Sequence, residues 1–208
     1  MAKIGIMGGT FDPIHNGHLS LGRQAYQEFG LDEIWYMPTG QPPHKTDHKV
    51  TDTRHRCDMT RLGIEGEEEF CFSDFEVRQT GYTYTARTLK LLHEEYPQHE
   101  FYFIIGADSL YEIEHWYHPQ EVMSQACLLV ARRAYEDAGY TLEKQIRYLT
   151  EKYNARIFQL HFRRMDISSE ELRRWAAVGK SIRAYVPKAV ADYIEAHHLY
   201  QKRCMSNE

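Results

Sequence analysis

Apolar residues follow two different spacings along this chain. Short unbroken runs, Ile4–Met7, Ile34–Met37, Phe101–Ile105 and Ala126–Ala131, predict buried strands. Between them lie longer stretches in which apolar residues recur three and four positions apart. His18–Phe29 reads as a helix with Leu19, Ala25, Tyr26 and Phe29 on one face and a stop at Gly30. Thr53–Ile64, Tyr84–Tyr96 (Leu89, Leu91 and Leu92 inward), 141–153, 169–177 and 187–196 read as further helices. Residues 155–160 predict another strand, and Phe70–Val77 alternates weakly enough for one or two short ones. Residues 38–52 are too rich in proline for a helix or a central strand, and the acidic turn Glu65–Glu69 reads as a solvated loop.

Strands alternating with helices predict an α/β fold: a doubly wound, Rossmann-like parallel sheet with helices on both faces. The pattern runs as a single domain over 1–200, followed by a polar tail, 201–208. In such folds ligands sit beyond the carboxyl ends of the strands, near the point where strand order reverses. The segments that follow the predicted strands fit that rule. Gly8–His18, Pro38–Lys45, Gly106–Asp108, Arg132 and Ser168–Arg173 all bring polar, cationic or glycine-rich character to strand ends.

Composition narrows the class of ligand. The 208 residues are 42% hydrophobic, with 15 Tyr and nine Phe, enough for a substantial core. A net charge of −5 provides no general field for nucleic acid, so a polyanionic ligand must be held by a local cluster. Cys57, Cys71, Cys127 and Cys204 have no paired spacing and read as reduced thiols. No apolar stretch reaches membrane-spanning length, and Met1-Ala2-Lys3 runs directly into the first strand. The expectation is a cytoplasmic protein that binds small molecules, without a nucleic-acid or membrane partner and with a homo-oligomer left open.

Residues 8–18, Gly-Gly-Thr-Phe-Asp-Pro-Ile-His-Asn-Gly-His, carry the chemistry. A strand ending in glycines and turning into a helix presents backbone N–H groups to an anion, and the helix N-terminus adds partial positive charge. His15 and His18 are three residues apart and share a face of the first helical turn. Two imidazoles converging with backbone amides suit a phosphate chain. Zinc ligation by the same pair lacks a third ligand in any usual spacing. A dinucleotide-binding dehydrogenase is set aside, because Gly8-Gly9-Thr10 lacks the Gly-x-Gly-x-x-Gly spacing.

The string resembles the signature of the His-x-x-His nucleotidyltransferases. Ile167-Ser168-Ser169-Glu170-Glu171-Leu172-Arg173 is similar to a second element of that superfamily, although Ser168 with Glu171 also reads as a capping box. Glu170 departs from the superfamily's Ser or Thr, and a carboxylate there repels a triphosphate unless it points away. Pro42-Pro43-His44-Lys45, Gly81–Thr85, Ile105–Asp108 and Trp116-Tyr117 resemble the bacterial nicotinate mononucleotide adenylyltransferases in order and spacing. Arg132-Arg133-Ala134 departs from that family's Arg-Pro-Gly.

What the resemblance implies is transfer of the adenylyl group of ATP to nicotinate mononucleotide, giving nicotinate adenine dinucleotide and pyrophosphate. It implies His15, His18, Lys45 and Arg173 as the catalytic set and Gly8, Gly9, Thr10, Phe11, Gly106, Asp108, Arg132, Ser168 and Ser169 around ATP. Trp116 would stack on the pyridine ring, with amides near Tyr84, Thr85 and Tyr117 on its carboxylate. Magnesium would accompany ATP, bridging its phosphates and keeping several waters, so no protein side chain is assigned as a metal ligand. His44, His115 and His118 read as structural or surface histidines. Two other readings stay open: a phosphopantetheine adenylyltransferase, whose chains tend to be shorter, and a nucleotide-binding module that has lost catalysis. The preference between acid and amide mononucleotides is also open.

Overall fold

The computed structural model describes residues 1–41, 50–132, 141–161 and 167–201. The chain opens with strand β1 (Lys3–Gly9), helix α1 (Asn16–Phe29), strand β2 (Glu33–Pro38), helix α2 (Thr53–Ile64) and a short strand β3 (Phe70–Phe72). Helix α3 (Thr85–Glu95) and strand β4 (Glu100–Gly106) follow, then α4 (Ala107–Tyr111), a 3₁₀ turn (Ile113–His115) and α5 (Pro119–Gln125). Strand β5 (Cys127–Ala131), helix α6 (Leu142–Tyr153), strand β6 (Ile157–Leu160) and helices α7 (Ser169–Ala177) and α8 (Lys188–Ala196) complete the described chain.

The six strands form one sheet in the order β3-β2-β1-β4-β5-β6. Every pairing is parallel, with Ile4 opposite Glu33 on one side and Phe101 on the other. Order therefore reverses between β1 and β4, which is where a doubly wound sheet opens a crevice.

Period-two alternation divides the apolar residues between two layers. Phe101, Phe103, Ile105, Leu128 and Val130 point to the face covered by α3, α5 and α6. Tyr102, Ile104, Cys127 and Leu129 point to the face covered by α1, α2, α7 and α8. Because both faces are buried, the central strands read as continuous apolar runs.

Helix α1 and the segment Phe70–Val77 depart from the sequence reading. Helix α1 begins at Asn16 and makes His15 its N-cap, so the helix enters directly beneath the glycine loop. Only Phe70–Phe72 pairs within the weakly alternating segment; residues beyond it turn, with Arg78 N–H donating to Asp74 O at 2.9 Å. Leu91, expected inside, is half-buried against the α3 face core.

Candidate active site

The carboxyl ends of β1 and β4 frame a cavity of about 460 Å³ lined by Gly8, Gly9, Thr10, His18, Thr85 and Trp116. That volume lies within the ordinary range for small-ligand sites. Gly106 at the end of β4 closes its other wall. Residues from four separate segments thus meet at the switch point of the sheet.

The loop after β1 is held from behind. Phe11 has φ of 49°, an uncommon left-handed conformation for a residue with a side chain, and its ring is buried. The same ring meets His18 edge-on, with centroids 5.1 Å apart. His15 is 6% exposed and stacks on His18 at 3.7 Å between ring centroids. Backbone N–H of His15 donates to Nδ1 of His18 at 3.3 Å. A neutral His18 accepting at Nδ1 carries its proton on Nε2, so this one hydrogen bond assigns the tautomer.

Asp12 and Arg56 lock the loop to its surroundings. Asp12 is 3% exposed; its carboxylate accepts from the Thr51 N–H at 3.1 Å and the Tyr200 hydroxyl at 2.8 Å. Arg56, 1% exposed, donates to Thr10 O at 2.9 Å, Thr51 O at 3.1 Å and Gly40 O at 3.4 Å. Burial pulls this guanidinium below its ordinary value, while the nearby charge of Asp12 works in the opposite direction. An isolated buried charge would be costly, and three carbonyls from two loops compensate it. Neither residue emerged from the sequence: Asp12 lay inside the motif without a distinct role, and Arg56 sits on an ordinary helical face.

The α7 segment docks on the other side of this loop. Ser168 caps α7 and forms the reciprocal capping box with Glu171. Ser169 donates its hydroxyl to Pro13 O at 2.9 Å, and Arg173 donates to Asp12 O at 2.7 Å. The second motif is thereby joined to the first through backbone carbonyls. Glu170 points away: its side chain is 72% exposed and lies 4.0 Å from Arg174. The repulsion expected from its sequence position is removed by this orientation.

The rings of Tyr84 and Tyr117 lie tilted by 32° with centroids 4.5 Å apart, and Tyr117 is exposed. Tyr84 is the N-cap residue of α3, while Trp116 packs edge-on against Phe103 at 6.4 Å. Asp108 lies in the first turn of α4 and Arg132 is exposed just beyond β5; neither lines the cavity, whereas Ser109, unmarked in the sequence, does. Lys45 and His44 lie outside the described residues, as do Arg133 and Ala134. Among the described residues no group of three or more His, Cys, Asp or Glu side chains is placed to hold a metal ion. No helix among them is long and apolar enough to cross a membrane.

Residues 6–175 match the Cytidylyltransferase-like family. A protein of Lachnoclostridium phytofermentans named as a probable nicotinate-nucleotide adenylyltransferase is 44% identical over 200 residues, covering 96% of this chain and 100% of the relative. One of Clostridium novyi with the same name is 38% identical over 204 residues, covering 97% and 100%. The fold also matches the Plasmodium falciparum nicotinic acid mononucleotide adenylyltransferase complexed with NaAD, with TM-score 0.77 at 22% identity over 96% of this chain and 98% of that one. A glycine loop and a histidine pair at the sheet's switch point are common to many nucleotide enzymes, but identity along almost the whole length is not: this chain belongs to the nicotinate-nucleotide adenylyltransferases, within the Cytidylyltransferase-like family.

Proposed function

We propose that the chain joins nicotinate mononucleotide to the adenylyl group of ATP, releasing pyrophosphate and forming nicotinate adenine dinucleotide, as a step in NAD synthesis. The observation that carries the reading is the cavity itself. One end, lined by Gly8–Thr10 and His18, suits a phosphate chain; the other brings Trp116 beside the start of α3.

The attacking atom is a phosphate oxygen of the mononucleotide, already ionised at neutral pH, so no general base is required. It forms a bond to the α-phosphorus of ATP while the bond from that phosphorus to the bridging oxygen breaks, and the electron pair leaves with pyrophosphate. Catalysis then consists of alignment and charge stabilisation. Nε2–H of His18 is the donor aimed at the phosphates; His15 holds the imidazole by stacking and by its backbone N–H. Arg173, anchored on Asp12 O, stands beside the same loop. Lys45 is assigned by the family pattern, as are the ATP contacts of Asp108 and Arg132. Magnesium would accompany ATP and supply charge neutralisation on its phosphates, and no side chain of the chain is assigned to hold it.

At the acceptor end, the first-turn N–H groups of α3 suit the ring carboxylate. Tyr84 at the N-cap makes no side-chain capping hydrogen bond, and the first turn contains no acidic residue. These features support the acid mononucleotide over its amide. Free Cys57, Cys71 and Cys127 support a reducing compartment, in keeping with cytoplasmic NAD synthesis.

A pyrophosphate-release assay with ATP and magnesium tests the reading directly. Nicotinate mononucleotide should be turned over at least tenfold faster than nicotinamide mononucleotide, and phosphopantetheine should be inert. Turnover of phosphopantetheine alone would overturn the acceptor assignment, and ATP binding without pyrophosphate release from any of the three would overturn catalysis. Chelation of magnesium should abolish the activity.

A further inference from the structure

Polar groups from two separate segments, the loop after β2 and the start of α3, meet on one carboxyl group in the wall of the cavity. Glu76 accepts from the Thr88 hydroxyl at 2.8 Å. The Thr83 hydroxyl, which donates to Gln41 O at 3.4 Å, and the backbone N–H of Gly40 lie beside the same carboxyl and favour its charged form. Thr88 lies in the first turn of α3, Thr83 two residues before that helix, and Gly40 in the loop leaving β2. Glu76 keeps some surface exposure as a residue, yet burial of its carboxyl is the largest influence on it and pushes its pKa upward.

The two segments that it ties together are the two walls of the acceptor end. Thr39, Glu76, Thr85 and Trp116 line one cavity. Behind them, Gln41 and Tyr82 form an isolated parallel bridge, and the Thr83 N–H donates to Gln41 O at 3.1 Å. The loop lies directly on the Glu76 turn, for a Cβ on Gly40 would stand 2.6 Å from Glu76 O. Arg56 holds the far side of the same residue through Gly40 O at 3.4 Å.

A carboxylate beside an open helix N-terminus ordinarily takes the free N–H groups for itself. Glu76 does not occupy that place, because its carboxyl is turned to the Thr88 hydroxyl, with Thr83 and Gly40 beside it. The N-terminal amides of α3 therefore stay available to an anion from outside.

We propose that Glu76 is a positioning residue for the pyridine mononucleotide: it braces the loop after β2 against the start of α3 and so fixes the gap between the α3 amides and Trp116 into which a carboxylate-bearing ring fits. The proposal rests on the reading of the acceptor given above. It assigns Glu76 no contact with ATP, whose cradle is built on β1 and α1.

Steady-state kinetics of Glu76→Gln, with each substrate varied in turn, tests it. KM for nicotinate mononucleotide should rise at least tenfold, while KM for ATP stays within twofold and kcat within threefold. Thr88→Val, which keeps the shape but loses one donor, should move the same KM in the same direction by about threefold, and it decides the matter if Glu76→Gln does not fold. A purely structural role would change thermal stability and leave the two KM values in their original ratio; that result overturns the proposal. So does an unchanged KM for nicotinate mononucleotide in both variants of an enzyme active on it. A wild-type protein that turns over only a different acceptor overturns the substrate reading and this proposal together.

Discussion

Accepting the His15 N–H at Nδ1 gives His18 a fixed tautomer, and stacking on His15 gives it a fixed plane. Its own carbonyl accepts from the Tyr36 hydroxyl at 3.2 Å, so backbone and ring are both held before any ligand arrives. Preorganised donors of this kind contribute most where charge develops, and removal of one typically costs about 3 kcal/mol in the transition state. His18→Ala should therefore lower kcat by roughly a hundredfold or more, with KM values little altered. Stopped-flow measurement of the chemical step in the folded variant checks this. A near-wild-type rate would remove His18 from the chemistry and leave the phosphate cradle to backbone amides alone.

Helix α1 shows how a strand and a helix are fitted so that this residue lands where it does. Gly22 faces β2, and a Cβ there would stand 2.2 Å from the hydroxyl of buried Tyr36. Replacing Gly22 by Ala gains up to about 1 kcal/mol of helix propensity. Forcing the extra carbon against Tyr36 costs about 1–3 kcal/mol and pulls the phenol from His18 O. Overpacking wins, so Gly22→Ala should be less stable in urea by roughly 1–2 kcal/mol, against the usual trend for glycine in a helix. The sequence revealed the long elements of this architecture because each has a clear period: α2 and α7 fall on their predicted limits, and the central strands on theirs to within two residues. It did not reveal α4, the 3₁₀ turn and α5, which are five, three and seven residues long and too short to show one. Pro119 at the first position of α5, with Glu121 in the first turn, was a start signal that went unread. The site divided along the same line. Motif residues such as Gly8, His18 and Trp116 meet in one cavity, whereas Arg56 and Glu76 act through distant carbonyls and hydroxyls that no local spacing encodes.

The two ends of the described chain are joined at one carboxylate. Tyr200, 188 positions from Asp12, donates its hydroxyl to Asp12 Oδ1 at 2.8 Å. It does so from a left-handed backbone with φ of 66°, a conformation that a tyrosine adopts only when its surroundings hold it there. Burial first, then the charge of Asp12, pushes the phenol well above its ordinary pKa, so it remains a neutral donor through the alkaline range. The chain after α8 is thus fastened at Tyr200 to the loop that follows β1. Tyr200→Phe keeps the ring and removes only that donor, leaving a buried carboxylate oxygen short of one partner. The expected loss is about 1–3 kcal/mol in urea unfolding, the same at pH 6 and pH 9, because the lost donor is uncharged at both. The comparison between the two pH values matters as much as the size. A loss at pH 6 that shrank or vanished at pH 9 would mean that the phenol ionises and is then repelled by Asp12, and no loss at either pH would mean that the chain after α8 is held by packing alone, with the glycine loop supported by Arg56, Thr51 and α7 without it.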